Sequence, residues 1–238
     1  MKKNGVIFIL VFLFFCDGCA QKKPASPSVD APLLKLREAL TQGNYAEAVK
    51  LGKEISSQVP AGNNREEALY LLGYTQAYGK SNFADARLPL KELLDHYPNG
   101  PYAADSQKLM ADCQYWQGHY ETAGREYKKL FSTFGEKGFA GYAQLQEGHC
   151  LLLDDKVGDA LSSYRDVVEK YPNESTSTSA QLMVANSYLK LQNFKQAKVE
   201  LRKLMVFTKN QDIQEAAQKT LRQIEEEEPF KKEVGVSD

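Results

Sequence analysis

One short motif returns at an almost constant interval along most of this chain. Each copy contains a turn, an apolar or aromatic residue, two further residues and an alanine, as in the run from Asn193 and Phe194 to Ala197. The recurring alanines are separated by 38, 37, 37 and 37 residues, and they are Ala48, Ala86, Ala123, Ala160 and Ala197. A period between about 20 and 50 residues is typical of proteins built from stacked units. The sequence therefore predicts a repeat architecture, and this constraint outranks its other signals.

Other positions recur around each alanine. Most units carry a small residue twelve positions earlier, as at Ala111, Gly148 and Ala185, whereas Gly73 of the second unit lies thirteen positions earlier. A proline or glycine follows twelve positions after the alanine in four of the five units, for example Pro98. Small residues let two helices approach closely, and proline or glycine ends a helix. The pattern therefore predicts two helices in each unit, the second beginning at the aromatic or apolar residue.

This arrangement resembles the tetratricopeptide repeat, whose helix pairs carry a small residue, an alanine twelve positions later and an aromatic residue four positions after that. The resemblance extends over about residues 33–209. It implies an all-α, right-handed superhelical solenoid of about five helix pairs, which share one core because a single pair cannot bury its apolar stripe. Asp212 is predicted to cap a final helix that closes the stack. We therefore predict a repeat domain at 33–228 and a disordered tail at 229–238.

The amino-terminal residues have the features of an export signal. Lys2 and Lys3 precede an apolar run at 6–15, which is too short to span a bilayer and is typical of a secretory signal. The following Gly18-Cys19 pair resembles the cleavage box of bacterial lipoproteins, which implies removal of a signal peptide at 1–18 and lipidation of Cys19. Ala20 in that class implies an outer-membrane location, facing the periplasm. An ordinary secretory signal followed by a chance cysteine is the alternative.

Residues 19–32 are predicted to form a flexible tether behind the lipidated cysteine. Pro24, Pro27 and Pro32 stand among Ala, Ser and Lys, and no apolar periodicity is present. Without residues 1–18 the chain has 28 basic and 30 acidic residues, a net charge of −2. This near-neutral balance argues against nucleic acid as the partner.

Two cysteines fall inside the predicted repeats. Cys113 and Cys150 are 37 residues apart, at equivalent positions of consecutive first helices. Neighbouring helix axes pack about 8–10 Å apart, whereas a disulfide needs Cα atoms within about 7 Å. We therefore predict two buried free thiols, although an oxidising compartment would permit a bridge.

Aromatic residues mark one face of the predicted first helices. Tyr70, Tyr74 and Tyr78 are spaced so that they share one helix face. In the tetratricopeptide family the corresponding positions line a concave surface, which implies a partner-binding groove that includes the only tryptophan of the chain. The predicted groove residues are Tyr70, Tyr74, Tyr78, Asp112, Tyr115, Trp116 and His149. An aromatic stripe at this spacing also suits plain helix packing, and both interpretations remain open.

The sequence carries no recognisable catalytic grouping. It contains no glycine-rich phosphate loop, no nucleophile elbow and no zinc-protease motif. The three histidines, His96, His119 and His149, belong to different units, so we expect no metal site. We therefore predict a protein that is not an enzyme and needs no cofactor.

The combination of features predicts a scaffold in the bacterial cell envelope. A lipid anchor, a short tether and five repeats within 238 residues resemble the BamD family, lipoproteins of the β-barrel assembly machine. The segment from Tyr97 to Asp105 is also similar to the carboxy-terminal repeats of the Tol-Pal-associated YbgF (CpoB) family. These resemblances imply that the partners are envelope proteins, either a barrel-assembly component or a Tol-Pal or cell-wall protein. Contact with the membrane would be made through the lipid anchor alone.

Overall fold

The computed structural model describes residues 30–233, and every regular element in this range is a helix. Eleven α-helices follow one another: α1 (Asp30–Thr41), α2 (Tyr45–Gln58), α3 (Asn63–Tyr74), α4 (Phe83–His96), α5 (Ala103–Trp116), α6 (Tyr120–Phe134), α7 (Ala140–Leu153), α8 (Val157–Lys170), α9 (Ser175–Lys190), α10 (Phe194–Phe207) and α11 (Gln211–Glu233). A π-helix at Thr75–Gly79 continues α3, and a short 3₁₀ helix at Gly135–Lys137 follows α6. The prediction of an all-α repeat fold is confirmed.

The helices pack in the order in which they occur in the chain. Each helix from α2 to α10 contacts the helix before it and the helix after it. The first helices of neighbouring pairs also meet directly, at α1–α3, α3–α5 and α7–α9, whereas the second helices in residues 30–233 make no comparable contact with each other. The stack is therefore tighter on the side of α1, α3, α5, α7 and α9, which we call the inner face.

The recurring alanine of each unit occupies the first turn of the second helix. All five alanines are fully buried. Three of the five helices begin after an asparagine whose side chain accepts a hydrogen bond from the backbone N–H three residues later, and these are Asn44, Asn82 and Asn193. Such a cap satisfies one of the free donors at a helix start. The motif thus combines a helix start with a close contact to the preceding helix.

Small residues on the first helices leave room for a large side chain of the second helix. A Cβ atom on Gly73 would lie 2.7 Å from Leu90 Cδ2, and one on Gly148 would lie 2.6 Å from Tyr164 Cε1. Both distances are far shorter than ordinary carbon–carbon contacts. In these two pairs, the small position and the residue sixteen or seventeen places later therefore pack directly against each other.

The π-helix absorbs one additional residue in the second pair. Its residues, Thr75–Gly79, directly follow Gly73 and Tyr74, so the additional residue lies between the small position and the recurring alanine. A π-turn contains one residue more than an α-turn. This accounts for the spacing of 38 rather than 37 before Ala86, and for the offset of thirteen rather than twelve from Gly73. The sequence pattern revealed the extra residue without predicting the π-helix.

The fifth pair is covered by α11, which packs on α10. Ala217, Leu221 and Ile224 are buried in this contact, as expected for a closing helix. The helical ends differ slightly from the predicted ones, because α1 begins at Asp30 rather than at 33 and α11 continues to Glu233 rather than ending at 228. The predicted signal at 1–18, Cys19 and most of the predicted tether lie outside the described residues, as do 234–238. None of the helices within 30–233 is long and apolar enough to cross a membrane.

Both cysteines of the repeats are buried free thiols, as predicted. Burial raises the pKa of Cys113 to about 12, and the charge of Asp112 adds to this effect. Burial likewise raises the pKa of Cys150 to about 12. The two side chains therefore fill space as small apolar groups in their protonated form.

The contact between Gly148 and Tyr164 provides a test of this packing. We expect Gly148→Ala to lower the free energy of unfolding by about 1–3 kcal/mol, because a buried ring must move to admit the methyl group. Gly124→Ala is the matched control, since its Cβ would meet Cys150 Cβ at an ordinary 3.6 Å. That control should gain up to about 1 kcal/mol from helix propensity. Urea unfolding followed by circular dichroism measures both, and a stabilised Gly148→Ala protein would contradict the packing described.

Candidate functional site: an aromatic row on the inner face

Six aromatic side chains of the second and third pairs form a continuous line of ring contacts, which we call the aromatic row. The distances between successive ring centroids are 5.1, 6.2, 4.6, 5.3 and 5.2 Å. All lie in the range in which aromatic pairs attract each other. In spatial order the members are Tyr102, Tyr70, Tyr74, Tyr78, Trp116 and Phe83.

The row crosses from one helix pair to the next. Tyr70 and Tyr74 lie one turn apart on α3, and Tyr78 follows in the π-helix. Trp116 is the last residue of α5, and Tyr78 meets it edge to face at 71° between the ring planes. The contacts therefore depend on the stacking of α5 beside α3, and a single pair could not form the row.

The middle of the row is open to solvent. The exposed fractions are 40% for Tyr74, 49% for Tyr78 and 41% for Trp116. Single exposed aromatic residues are common, but a contiguous exposed apolar cluster is typical of an interaction surface. Because the rings contact one another, each side chain has less conformational entropy left to lose when a partner binds. Helix packing therefore leaves these three side chains only partly covered.

Tyr70 and Tyr78 keep their protons at neutral pH. Burial, with the charge of Asp105 second, raises the pKa of Tyr70 to about 12. Burial also raises the pKa of Tyr78, although the nearby Lys108 lowers it. Both phenols are thus hydrogen-bond donors under physiological conditions.

A buried carboxylate lies on α5, one helical turn before Trp116. Asp112 is only 3% exposed, and its Oδ1 accepts hydrogen bonds from the hydroxyls of Tyr127 at 2.6 Å and Tyr142 at 2.9 Å. Its Oδ2 accepts one from Lys108 Nζ at 2.7 Å. The expectation that Asp112 lines a groove is therefore wrong, because its oxygens are already occupied within the fold.

Lys108 is held between the carboxylate and an aromatic ring. Its Nζ lies 4.7 Å from the centroid of the Tyr142 ring, which adds a cation–π contact to the ion pair. Burial lowers the pKa of Lys108, but the charge and hydrogen bond of Asp112 outweigh it, so the pKa is raised overall. The cluster consequently ties α5, the helix that carries Trp116, to α6 and α7.

Two predicted groove residues lie apart from the row. Tyr115 packs edge to face on Tyr120, with centroids 5.5 Å apart. His149 lies against Tyr164 at 5.5 Å, and burial lowers its pKa. The structure therefore brings together Tyr70, Tyr74, Tyr78 and Trp116, and it does not bring Tyr115 or His149 into ring contact with them.

Two members of the row were not predicted. Tyr102 lies in the connection before α5, where its ring stacks on Tyr70 at an interplanar angle of 23°. Phe83 is the first residue of α4, so the sequence pattern assigned it only to the start of a helix. Their contacts depend on how consecutive pairs stack, although the aromatic residue in the proline-rich connection was a signal that could have suggested Tyr102.

Comparisons with known proteins agree with this description. Residues 67–100 match the family model described as tetratricopeptide repeat. A tetratricopeptide repeat protein from Parabacteroides merdae superposes with a TM-score of 0.66 at 14% identity, covering 82% of this chain and 73% of that one. MamA from Desulfovibrio magneticus RS-1, from residue 41 to its end, gives 0.63 at 16% identity, with coverages of 77% and 97%. The search of curated protein sequences found no match.

The fold and one matched stretch of sequence define the class of this protein. The fold is a helical repeat solenoid, and the structural likenesses support the fold alone because the identities are low. Within it, residues 67–100, which include Tyr70, Tyr74 and Tyr78, match the model of the tetratricopeptide repeat. Repeats of this type generally serve as surfaces for binding other proteins.

The carboxylate cluster yields a sharp test, because Tyr127 and Tyr164 occupy equivalent positions of consecutive units and are both fully buried. The Tyr127 hydroxyl donates to Asp112, whereas the Tyr164 hydroxyl has no partner within the described residues. We expect Tyr127→Phe to lower the free energy of unfolding by about 1.5–3 kcal/mol, the contribution of a hydrogen bond to a charged group.

Tyr164→Phe should leave the free energy of unfolding unchanged or raise it slightly, because it removes a buried hydroxyl that gains nothing from the fold. Parallel urea titrations of the two variants measure the difference. Equal losses in both would contradict the assigned role of the Asp112 cluster.

Proposed function

We propose that this protein is a scaffold of the bacterial cell envelope that holds another envelope protein on the aromatic row. In this proposal, acyl chains on Cys19 anchor it in the outer membrane and the repeats face the periplasm. The observation that carries the proposal is the exposure of Tyr74, Tyr78 and Trp116 side by side on the inner face. The match of residues 67–100 to the tetratricopeptide repeat supports a binding role of this kind.

The aromatic row has the composition of a binding hot spot, the small group of residues that contributes most of the binding free energy. Tryptophan and tyrosine dominate the residues that contribute most to protein interfaces, because they bury large rigid areas and lose few rotamers. The phenol groups supply hydrogen-bond donors at the edges of the rings, and the Asp112 cluster holds α5, which carries Trp116, against α6 and α7. An extended peptide or a partner loop that lies across the rings would contact their apolar faces and could accept hydrogen bonds from the tyrosine hydroxyls at the edges.

Two kinds of envelope partner follow from the sequence resemblances. The anchor, tether and five repeats resemble the BamD family, which favours a partner in outer-membrane β-barrel assembly. The segment from Tyr97 to Asp105, similar to the YbgF (CpoB) repeats, favours a Tol-Pal or cell-wall partner. Tyr102 of that segment stacks on Tyr70, so the same connection contributes to the row. We place barrel assembly first because that resemblance involves the whole layout of the chain.

The anchor is tested by the fate of Cys19. We expect cells that produce the full chain to incorporate labelled palmitate into it, and Cys19→Ser to abolish the label, since two or more acyl chains are needed for stable anchoring. Cys16→Ser is the matched control, because it removes the neighbouring cysteine and should leave the label unchanged. A label that survives Cys19→Ser, or an unlabelled wild-type chain, would rule the lipid anchor out.

The binding role is tested by recovery of partners from detergent-extracted envelopes. Trp116→Ala should reduce recovery of the principal partner by about tenfold or more, because truncating a central aromatic contact costs about 2 kcal/mol. Phe131→Ala is the control: Phe131 is also 41% exposed but lies on α6, a second helix. Mass spectrometry then identifies a barrel-assembly or a Tol-Pal protein. Equal recovery with both variants would contradict the proposed role of the row.

A further inference from the structure

A carboxylate on α5 lies beside the aromatic row without an ion-pair partner. Asp105 is in the first turn of α5, seven residues before Asp112 and eleven before Trp116. With 3.6 residues per turn, these three positions fall on the same side of the helix. Among residues 30–233, Asp105 forms no ion pair. Its charge therefore remains available to a partner on the side of α5 that carries Trp116.

Asp105 also lies close to the tyrosines of α3. Its charge contributes to the raised pKa of Tyr70, second only to burial. The ring of Tyr70 contacts that of Tyr74 at 6.2 Å between centroids, and the Tyr74 ring is open to solvent. A group that lies on Tyr74 would thus have an unpaired carboxylate among its near neighbours.

The cations next to the row are already paired. Lys108 Nζ lies 2.7 Å from Asp112 Oδ2. Arg37 of α1 forms two hydrogen bonds to Glu67 of α3, at 2.6 and 2.7 Å. Both cations act on tyrosines of the row, but each has a carboxylate in direct contact. A negatively charged partner would therefore have to compete with these carboxylates for either cation.

The charged side chains that act on the tyrosines of the row sum to a negative charge. At the Tyr102 end, the buried Glu66 accepts a hydrogen bond from the Tyr102 backbone N–H at 2.9 Å. Four carboxylates and two cations act on these tyrosines, which gives a formal charge of −2. They are Glu66, Glu67, Asp105, Asp112, Arg37 and Lys108. This balance favours a positively charged partner segment over an acidic one.

The open rings favour the same kind of partner. The faces of tyrosine and tryptophan rings attract cations, and arginine makes such contacts more often than lysine. The guanidinium group is planar, so it can stack on a ring while its N–H groups still donate to a carboxylate. Tyr74 offers the ring and Asp105 the carboxylate, on neighbouring first helices.

The length of the row fixes the size of the segment. Asp105 and Trp116 are eleven residues apart on α5, which corresponds to about 16 Å along the helix. An extended peptide covers this distance with about five residues. One short segment can therefore place a charged residue near Asp105 and an apolar residue on Trp116.

We propose that the aromatic row binds an extended, arginine-bearing segment of its partner. The guanidinium group of the arginine stacks on Tyr74 and pairs with Asp105, and the apolar residues that follow lie along Tyr78 and Trp116. This inference rests on the proposed function, because it specifies the chemistry of the segment that the same surface holds.

The test uses the full chain in detergent and two synthetic peptides. Trp116 is the only tryptophan of the chain, so its fluorescence reports directly on occupation of the row. The first probe is a blocked alanine heptapeptide with one arginine and, four residues later, one leucine. The second replaces the arginine by citrulline, which keeps the shape but carries no charge. We expect the arginine peptide to bind about three- to tenfold more tightly, from one cation–π contact and one exposed ion pair.

Three variants assign this preference to particular side chains. Asp105→Asn should weaken binding of the arginine peptide about two- to fivefold and leave the citrulline peptide unchanged. Asp159→Asn is the matched control, because it removes the same charge from an exposed position in the first turn of α8 and should change neither affinity. Tyr74→Ala should weaken the arginine peptide about tenfold, as expected for a central aromatic contact.

Several outcomes would overturn the proposal: equal affinities of the two peptides, no fluorescence response to either, or an arginine preference that survives Asp105→Asn or Tyr74→Ala unchanged. Equal weakening by Asp159→Asn would show a general effect of net charge, which also contradicts it. These failures are distinguishable from failure of the proposed function. If Trp116→Ala still reduces partner recovery from envelopes, the row binds a partner but recognises it without an arginine.

Discussion

The close approach of two helices at a small residue is the contact on which the rest of this structure depends. Gly148 admits the ring of Tyr164, and Gly73 admits Leu90, so these two hairpins close around one large side chain of the second helix. The fully buried alanines place the start of that helix against its neighbour. Since each pair leaves apolar surface on both sides, the pairs are stable only when stacked. The near-constant spacing of these residues along the sequence reflects the need of every pair to stack on its neighbours.

The large buried residue of the second helix has an additional role in the third pair, next to the aromatic row. Tyr127 and Tyr164 are equivalent and equally buried, but only Tyr127 has a carboxylate to bond. The difference lies in Asp112, whose charge is stabilised by two phenols and Lys108 from three helices. A buried charge is costly unless it is paired and hydrogen-bonded, and this one is both. The hydrogen bonds of Asp112 fix the position of α5, the helix that carries Trp116, against α6 and α7.

The repeat pattern predicted the helix pairs, the closing helix and the buried thiols, because each follows from local periodicity and helix geometry. It also predicted that Tyr70, Tyr74, Tyr78 and Trp116 share one region. It could not exclude Asp112 from the surface, since the burial of that residue depends on hydroxyls 15 and 30 positions away. Nor could it predict Tyr102 and Phe83 as members of the row, because their contacts arise between pairs, where repeat spacing carries no information about orientation.

The aromatic row lies where the repeat is least regular, and this coincidence has a physical reason. The residue added to α3 is accommodated by the π-helix that carries Tyr78, directly beside Trp116 of the next pair. π-Turns are rare and are frequently found at functional sites. The open rings of Tyr74, Tyr78 and Trp116 thus form the kind of contiguous apolar surface that is typical of an interaction site.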